Sequence, residues 1–463
     1  MNSHRRFARA ERPIEVALVG AGAFGRSLLA QGGRMTLMSV RVAIDVTAAR
    51  AAEALRATGA AEGAIALCET RAEAEAAWAA GRVIAAGDLD VALGLPIDIV
   101  VEASGHPEAG AVHALASLEA GKHVALVTKE TDSVVGSYLA AVAADRGLVC
   151  TPVDGDQPAL LIGLVTWAET LGLPIISAGK ASEYDFVFDP ATERLTSEDR
   201  SADAPGFGAT WELGDRAVAD VVAERAAGAA ALPQRAVPDL CEMAVVANAT
   251  GLKPDVAPFH VPIARIQEVA TVFEEQARGG LLSGGRRLDV FNCLRAPGEI
   301  SFAGGVFVVV RCEDAETWGI LAGKGHTMSR GGDAAMLWLP RHLLGVEAPI
   351  SLLDAVVNGV SVGGTPTPVV DLVGRTTKPL AKGTLLAAEG HHHTIDGVGP
   401  ELIDAAPLAA ERPAPYYLIA GRRLRRDLPA GASVTLGDLE MDEAAPLYVM
   451  RRRQDERFFG AET

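Results

Sequence analysis

Gly20-Ala-Gly22-Ala-Phe-Gly25 is the segment that most restricts how this chain folds. This G-x-G-x-x-G follows the apolar run 16–19 and opens a stretch of helical composition reaching about Gln31. In that setting the first glycine permits a tight turn, the second lets backbone approach a pyrophosphate, and the third brings helix close to strand. The helix N-terminus offers free N–H groups and the positive end of its dipole to the phosphates. A glycine-rich turn without a ligand would need no acidic partner, yet Asp45 ends a second strand over 40–45, twenty residues after Gly25. A carboxylate there accepts from both ribose hydroxyls and repels a 2′-phosphate. The predicted coenzyme is NAD, with NADP admitted because Arg50 lies on the same loop. Gly20, Gly22, Ala23, Phe24, Gly25 and Asp45 are the predicted coenzyme contacts. Ser104 and Gly105 join them, since they follow a strand over 97–103 and so lie over the nicotinamide or ribose. His106 in the same loop has a functional reading, but a loop histidine before a helix is more often an ordinary residue.

The first 150 residues alternate strand and helix signals. Residues 48–80 are rich in Ala, Glu, Arg and Leu and read as helical. Helices follow over 107–120 and 132–146, the latter capped by Asp132 or Ser133, with strands over 123–127 and from Leu148. This rhythm implies an α/β fold with a parallel, doubly wound Rossmann sheet. Past Asp154 it changes to an apolar helix over 158–171, a strand over 173–178 ending on Gly179-Lys180, a polar stretch over 183–240 with one helical patch, and a strand over 306–310. That is an α+β second domain, to which the resemblance described below assigns the substrate and oligomerisation roles. Near Gly363 a GGTPTP linker leads into two similar stretches, 378–386 and 426–435, each basic, then apolar, then Gly, then β-prone. A length of 463 residues suits three domains: a Rossmann domain over 12–155, the α+β domain over 156–362, and a small β-rich domain over 363–463.

With 42 Lys and Arg against 59 Asp and Glu, the net charge of −17 disfavours nucleic acid. Arg422, Arg423, Arg425 and Arg426, and Arg451 to Arg453, are interrupted by Asp427, Asp455 and Glu456 and read as solvated faces or subunit contacts. Five widely spaced Cys without a C-x-x-C, and no apolar leader in the first residues, point to a reduced, cytoplasmic compartment. The longest apolar stretch, near 158–168, is too short to span a bilayer. His391-His392-His393 are consecutive loop residues without the spacing of a metal site, so no metal is expected.

Several segments carry a family resemblance. Residues 14–150, with Gly121-Lys-His-Val-Ala-Leu-Val-Thr-Lys129, resemble the nucleotide domain of homoserine dehydrogenases. Ser177-Ala-Gly-Lys180, the run Glu242 to Gly251, and Gly323-Lys-Gly-His326 are similar to a narrower group of homoserine-dehydrogenase-like oxidoreductases with a C-terminal SAF domain. That group includes deoxyxylulose-phosphate reductoisomerase-like enzymes and apionate oxidoisomerases. The segments at Lys378 and Arg426 look like SAF pieces, and the likeness spans about 14–445. It implies an NAD(P)-dependent oxidoreductase, a homo-oligomer, acting on a sugar acid, sugar phosphate or hydroxy amino acid, with isomerisation coupled in some members. Gly155-Asp156-Gln157 stands where the reductoisomerase-like enzymes have Gly-Asp-Glu, which weakens the case for a divalent cation. Lys129 is the homoserine dehydrogenase residue at its position.

Hydride transfer leaves the protein one proton to move and one oxygen to hold. Lys180, at the entry to the second domain, is the first candidate for the proton, and Lys129 the second, as a substrate-orienting group. Asp156 is placed to orient Lys180 or bind a hydroxyl. Glu242 and Asn248 suit substrate hydroxyls, though core polar roles fit them equally. Lys324 suits a substrate carboxylate or phosphate, or a plain surface turn. The competing reading is a non-catalytic NAD-sensing or sugar-binding protein, in which Lys180 is dispensable.

Overall fold

The computed structural model describes residues 3–390 and 393–460. Ile14–Val19 (β1), Met38–Ile44 (β2), Ile65–Cys68 (β3), Val83–Ala86 (β4), Ile99–Glu102 (β5), His123–Leu126 (β6) and Cys150–Thr151 (β7) form one parallel sheet ordered β3-β4-β2-β1-β5-β6-β7. Val16, Ala17, Leu18 and Val19 are all buried, as expected of a strand covered on both faces. The chain leaves β1 towards β2 on one side and reaches β5 on the other. The crevice at the carboxyl ends of β1 and β5 is therefore the switch point where such sheets take ligands.

Two expectations change here. The stretch 48–80 is not one helical region. Helix Ala48–Ala57 ends near Gly59 (φ 107°), edge strand β3 follows, and helix Arg71–Ala79 starts at a capping box of Thr70 and Glu73. A four-residue edge strand inside Ala-rich sequence leaves no periodicity to read. The helix expected from Asp132 begins at Lys129. Thr128 precedes it, and its hydroxyl accepts from Gly105 N (3.1 Å) rather than capping its own helix. The shift puts Lys129 in the first turn, directly above the end of β6.

The second sheet contains Ile175–Asp189 (β8), Arg194–Ser197 (β9), Arg200–Asp203 (β10), Lys253–Pro254 (β11), Ile263–Ala264 (β12), Arg287–Arg295 (β13), Val306–Arg311 (β14), Thr327–Met328 (β15) and Ala334–Leu339 (β16). β8 is its spine, pairing with β13 in parallel and with β14 and β9 antiparallel. Helices Gln157–Thr170 and Val237–Thr250 pack on one face. Phe273, Phe291, Phe302 and Phe307 fill the other. The strand expected to stop at Gly179-Lys180 runs on to Asp189, so Lys180 is mid-strand and enclosed rather than at a strand end.

The chain then returns to the first lobe before the expected linker. Ala348, Leu352, Leu353 and Ala355 join the core that holds Leu18 and Leu28, and Ser351 donates to Asp154 (2.8 Å). Val370–Thr376 (β17), Ala388–Glu389 (β18), Thr394–Ile395 (β19) and Val398–Asp404 (β20) form a small antiparallel sheet. The two similar stretches noted in the sequence lie against each other about an approximate two-fold. Leu380 and Leu428 exchange backbone hydrogen bonds (2.9 and 2.8 Å). Gly383 donates to Leu424 as Gly431 donates to Thr376, each at 2.7 Å. Helix Pro446–Phe459 closes the lobe and docks on helices Pro107–Glu119 and Lys129–Asp145. Arg451, expected on a solvated face or at a subunit contact, is fully buried, and Asp371 and Asp455 accept from its guanidinium. All five thiols are free, and four are buried. Among the described residues no helix is long and apolar enough to cross a membrane.

Candidate active site

The glycine loop has the geometry its pattern predicts. Gly20 has φ 94°, and a Cβ there would lie 2.3 Å from the Ala103 carbonyl oxygen. One at Gly25 would lie 2.2 Å from the Gly20 carbonyl oxygen. Around Gly22 nothing lies within 4 Å, and Gly22 and Ala23 are exposed. Two glycines are thus demanded by the fold, while the middle one faces open space ahead of helix Ala23–Gly32. Asp45, just past β2, accepts from Ala21 N (3.0 Å) and Val46 N (2.7 Å), and Arg50 Nε lies 3.4 Å from it. After β5, Ser104 N donates to Glu102 (3.3 Å), and His106 Nδ1 caps helix Pro107–Glu119 by accepting from Ala109 N (3.3 Å). The ordinary reading of His106 matches that cap.

A buried chain of charge starts on the same edge of the sheet. Lys129 donates to one oxygen of Glu242, and Lys180 donates to the other. Lys180 is also 2.9 Å from Asp239, which accepts from Ser182 Oγ at 2.6 Å. Asp239 and Glu242 are one turn apart on helix Val237–Thr250, whose first eleven residues are all buried. Two ammonium groups and two carboxylates balance, which is the condition for keeping such a set out of water.

The surroundings set each group's protonation. Burial alone would raise the Glu242 carboxyl, but Lys129 and Lys180 hold it down at about 2. Burial alone would lower both lysines, and neighbouring carboxylates more than reverse this: Glu242, Asp156 and Glu130 for Lys129, and Glu242, Asp239 and Glu183 for Lys180. Both stay ammonium at neutral pH. They differ in access, since Lys180 is 0% exposed and Lys129 21%. Lys129, Asp132 and Asp156 line a cavity of about 10 Å³. Burial pushes Asp132 up to about 7. Glu130 is likewise raised to about 7 by burial, which Lys129 opposes. Its carboxylate lies 3.6 Å from His393 Nδ1.

Of the residues singled out in the sequence, Lys129, Lys180 and Glu242 therefore meet, with Asp156 beside them. Asp156 also caps helix Gln157–Thr170, accepting from Gln157 N (3.0 Å). Asn248 is not in the cluster. Six residues along a helix rotate it by about 240° from Glu242. Its Oδ1 accepts from Val369 N (2.8 Å) and Val370 N (3.0 Å), tying the helix to the last lobe. Lys324 ends helix Ala315–Gly323 and lines a largely apolar cavity of about 720 Å³ that holds none of the other candidates. His391 and His392 lie outside the described residues. Asp239, Ser182, Glu130 and Asp132 were missed. The available signal was Asp239 and Glu242 spaced by one turn inside an otherwise apolar run.

Comparison with known proteins bears on the same segment. Residues 237–348, which open with the helix carrying Asp239 and Glu242, match the family described as oxidoreductase DRL, catalytic domain. No curated protein matches. Among solved structures, a variant of KijD10, a 3-ketoreductase from Actinomadura kijaniata in complex with TDP-benzene and NADP, is 19% identical over 39% of this chain and 50% of its own, with TM-score 0.27. GenD2 from gentamicin A biosynthesis, in complex with NAD, is 15% identical over 76% of this chain and 88% of its own, with TM-score 0.35. Levoglucosan dehydrogenase, in complex with NADH and L-sorbose, is 17% identical over 47% and 53%, with TM-score 0.27. The chain thus spans about half the length of the first and third.

Proposed function

We propose that this chain is an NAD(P)-dependent oxidoreductase that interconverts a hydroxyl and a carbonyl on a small polar substrate. The class is a sugar acid, sugar phosphate or hydroxy amino acid, as the resemblance to homoserine-dehydrogenase-like oxidoreductases implies. One observation carries the reading. The charge chain Lys129–Glu242–Lys180–Asp239 ends, at Lys129, on the carboxyl edge of the sheet that bears the open glycine loop. The loop fits a dinucleotide: the space at Gly22 admits a pyrophosphate, and the Asp45 carboxylate suits ribose hydroxyls and favours NAD. When bound, the nicotinamide supplies or takes up the hydride.

The lysines exchange the roles given to them in the sequence. Lys129, ammonium and partly exposed, donates a proton to the carbonyl oxygen during reduction and stabilises the forming alkoxide. Lys180, walled in by Glu242 and Asp239, is a positioning residue that keeps Glu242 ionised and fixed on Lys129. Asp132 and Asp156, sharing the small cavity with Lys129, are placed to return its proton.

The test is a screen of C4–C6 sugar acids, their phosphates and homoserine against NAD and NADP, followed at the reduced-nicotinamide absorbance, with Lys129→Met alongside. Turnover with a preference for NAD, lost by at least about 100-fold in Lys129→Met while coenzyme still binds, supports the reading. Coenzyme binding with no turnover of any substrate would favour the NAD-sensing or sugar-binding alternative. Turnover indifferent to Lys129 would remove the lysine from the chemistry.

A further inference from the structure

The last lobe faces the same edge of the nucleotide sheet across a cavity of about 490 Å³. One wall is the loop after β5, with Gly105 and His106, and the first turn of helix Pro107–Glu119, with Glu108. The other brings His393, Tyr417 and Arg422 from the last lobe. The cavity reaches towards the charge cluster, because His393 lies 3.6 Å from Glu130, the residue next to Lys129. Arg423 donates to the Gly383 carbonyl (2.9 Å), Arg375 pairs with Glu401 (2.7 Å), Arg426 pairs with Asp438, and Arg425 is exposed to solvent. Arg422 is different. Its Nε is buried without an acceptor, and among the described residues its side chain has no hydrogen-bond or ion-pair partner. A guanidinium half-buried on a cavity wall without an anion is the arrangement that selects a carboxylate or phosphate, because only those oxygens match its fork and charge. Glu108, across the cavity, is an acceptor for hydroxyls.

We propose that Arg422 is the anion-binding residue of the substrate pocket, and that the last lobe thereby selects hydroxylated acids or sugar phosphates over neutral polyols. This deepens the reading above and rests on it for the substrate's presence at this edge. The anion goes to Arg422, a hydroxyl to Glu108, and the reacting carbon towards Lys129.

Calorimetric titration of the NAD-saturated protein separates the two claims. The probes are the C4–C6 aldonic acids, the pentose and hexose phosphates, and the neutral alditols of equal length. At least one acid or phosphate should bind about 10- to 100-fold more tightly than its alditol. Arg422→Met should erase that preference, and Arg422→Lys should restore part of it. Unchanged NAD affinity in both variants certifies the fold. The same samples are read for NADH. An acid preference that depends on Arg422 but yields no NADH overturns the oxidoreductase reading and leaves the anion site standing. Acids and alditols binding alike, or a preference that survives in Arg422→Met, overturns the anion site even if NADH forms. A preference for phosphates alone assigns the anion as phosphoryl, and one for aldonates alone as carboxylate; both support the site.

Discussion

Glu242→Gln is the most telling single change, because it removes the one charge that both lysines share. Burial alone would raise this carboxyl, yet Lys129 and Lys180 hold it at about 2 against an ordinary 4.5. Such a depression corresponds to about 3 kcal/mol of folding stability. That agrees with the roughly 3–5 kcal/mol lost when one partner of a buried pair is removed. A carboxyl held below its unfolded value stabilises fully above about pH 4.5 and loses that contribution as pH falls through about 2. The glutamine keeps the shape, so the deficit is electrostatic. If the second lobe melts as a unit of ordinary domain size, the melting temperature at pH 7 should fall by about 6–12 °C. Calorimetry at pH 7 and pH 3 should find the gap between the two proteins shrinking to less than half. In the folded fraction, Lys129 loses its nearest carboxylate, so its ammonium should give up the proton at lower pH. The pH profile of substrate oxidation should move down with it. A variant that melts with the parent, or whose deficit is the same at both pH values, would refute the shared-charge argument.

Three further outcomes follow from the same geometry. Gly22→Val should leave the melting temperature within about 1 °C, since nothing lies within 4 Å of the new Cβ, while weakening NAD binding by about 100-fold in a fluorescence titration. Asp45→Ala should cost about tenfold in NAD affinity and narrow the gap to NADP, with Arg50 freed from the carboxylate it faces; competition titrations of the two coenzymes measure it. Asn248→Ala should destabilise by about 1–3 kcal/mol in urea, because two backbone amides lose their acceptor, and should leave the KM for substrate unchanged.

The nucleotide lobe was legible because its signals are local. A short apolar strand, three glycines at fixed spacing and an acid after the next strand are all dictated by neighbours in sequence. Gly25 is fixed by its contact with Gly20, which the pattern itself encodes, whereas Gly20 is held by Ala103, just past β5 and far away in sequence. The charge cluster is the opposite case. Lys129, Lys180 and Glu242 were each picked out, but nothing in their spacing says that one carboxylate serves both amines from another element. In the sequence Lys180 reads as a strand end because polar residues follow it. β8 absorbs them by pairing with β13 and β9, which no local pattern reveals. Arg451 misled for a similar reason, since its partner Asp371 is far away in sequence. The repeat of 378–386 in 426–435 was visible, whereas its use as a paired two-fold was not.

Helix Val237–Thr250 is what makes these separate pieces one site. Near its start Asp239 and Glu242 hold Lys180 of the second lobe and Lys129 of the first; at its end Asn248 holds the entry to β17. A hinge between the first two lobes would have to part Lys129 from Glu242 and strand a buried charge, at about 3–5 kcal/mol. Ligand binding is therefore poorly served by opening the lobes as a clamshell. On the proposed reading, substrate approaches Lys129 from the side where Ser104, Gly105 and His106 are exposed and where the last lobe supplies a wall with Arg422. On the same reading the third lobe belongs to the binding site, and the buried Lys129–Glu242 pair would fix the distance between coenzyme and substrate that hydride transfer requires.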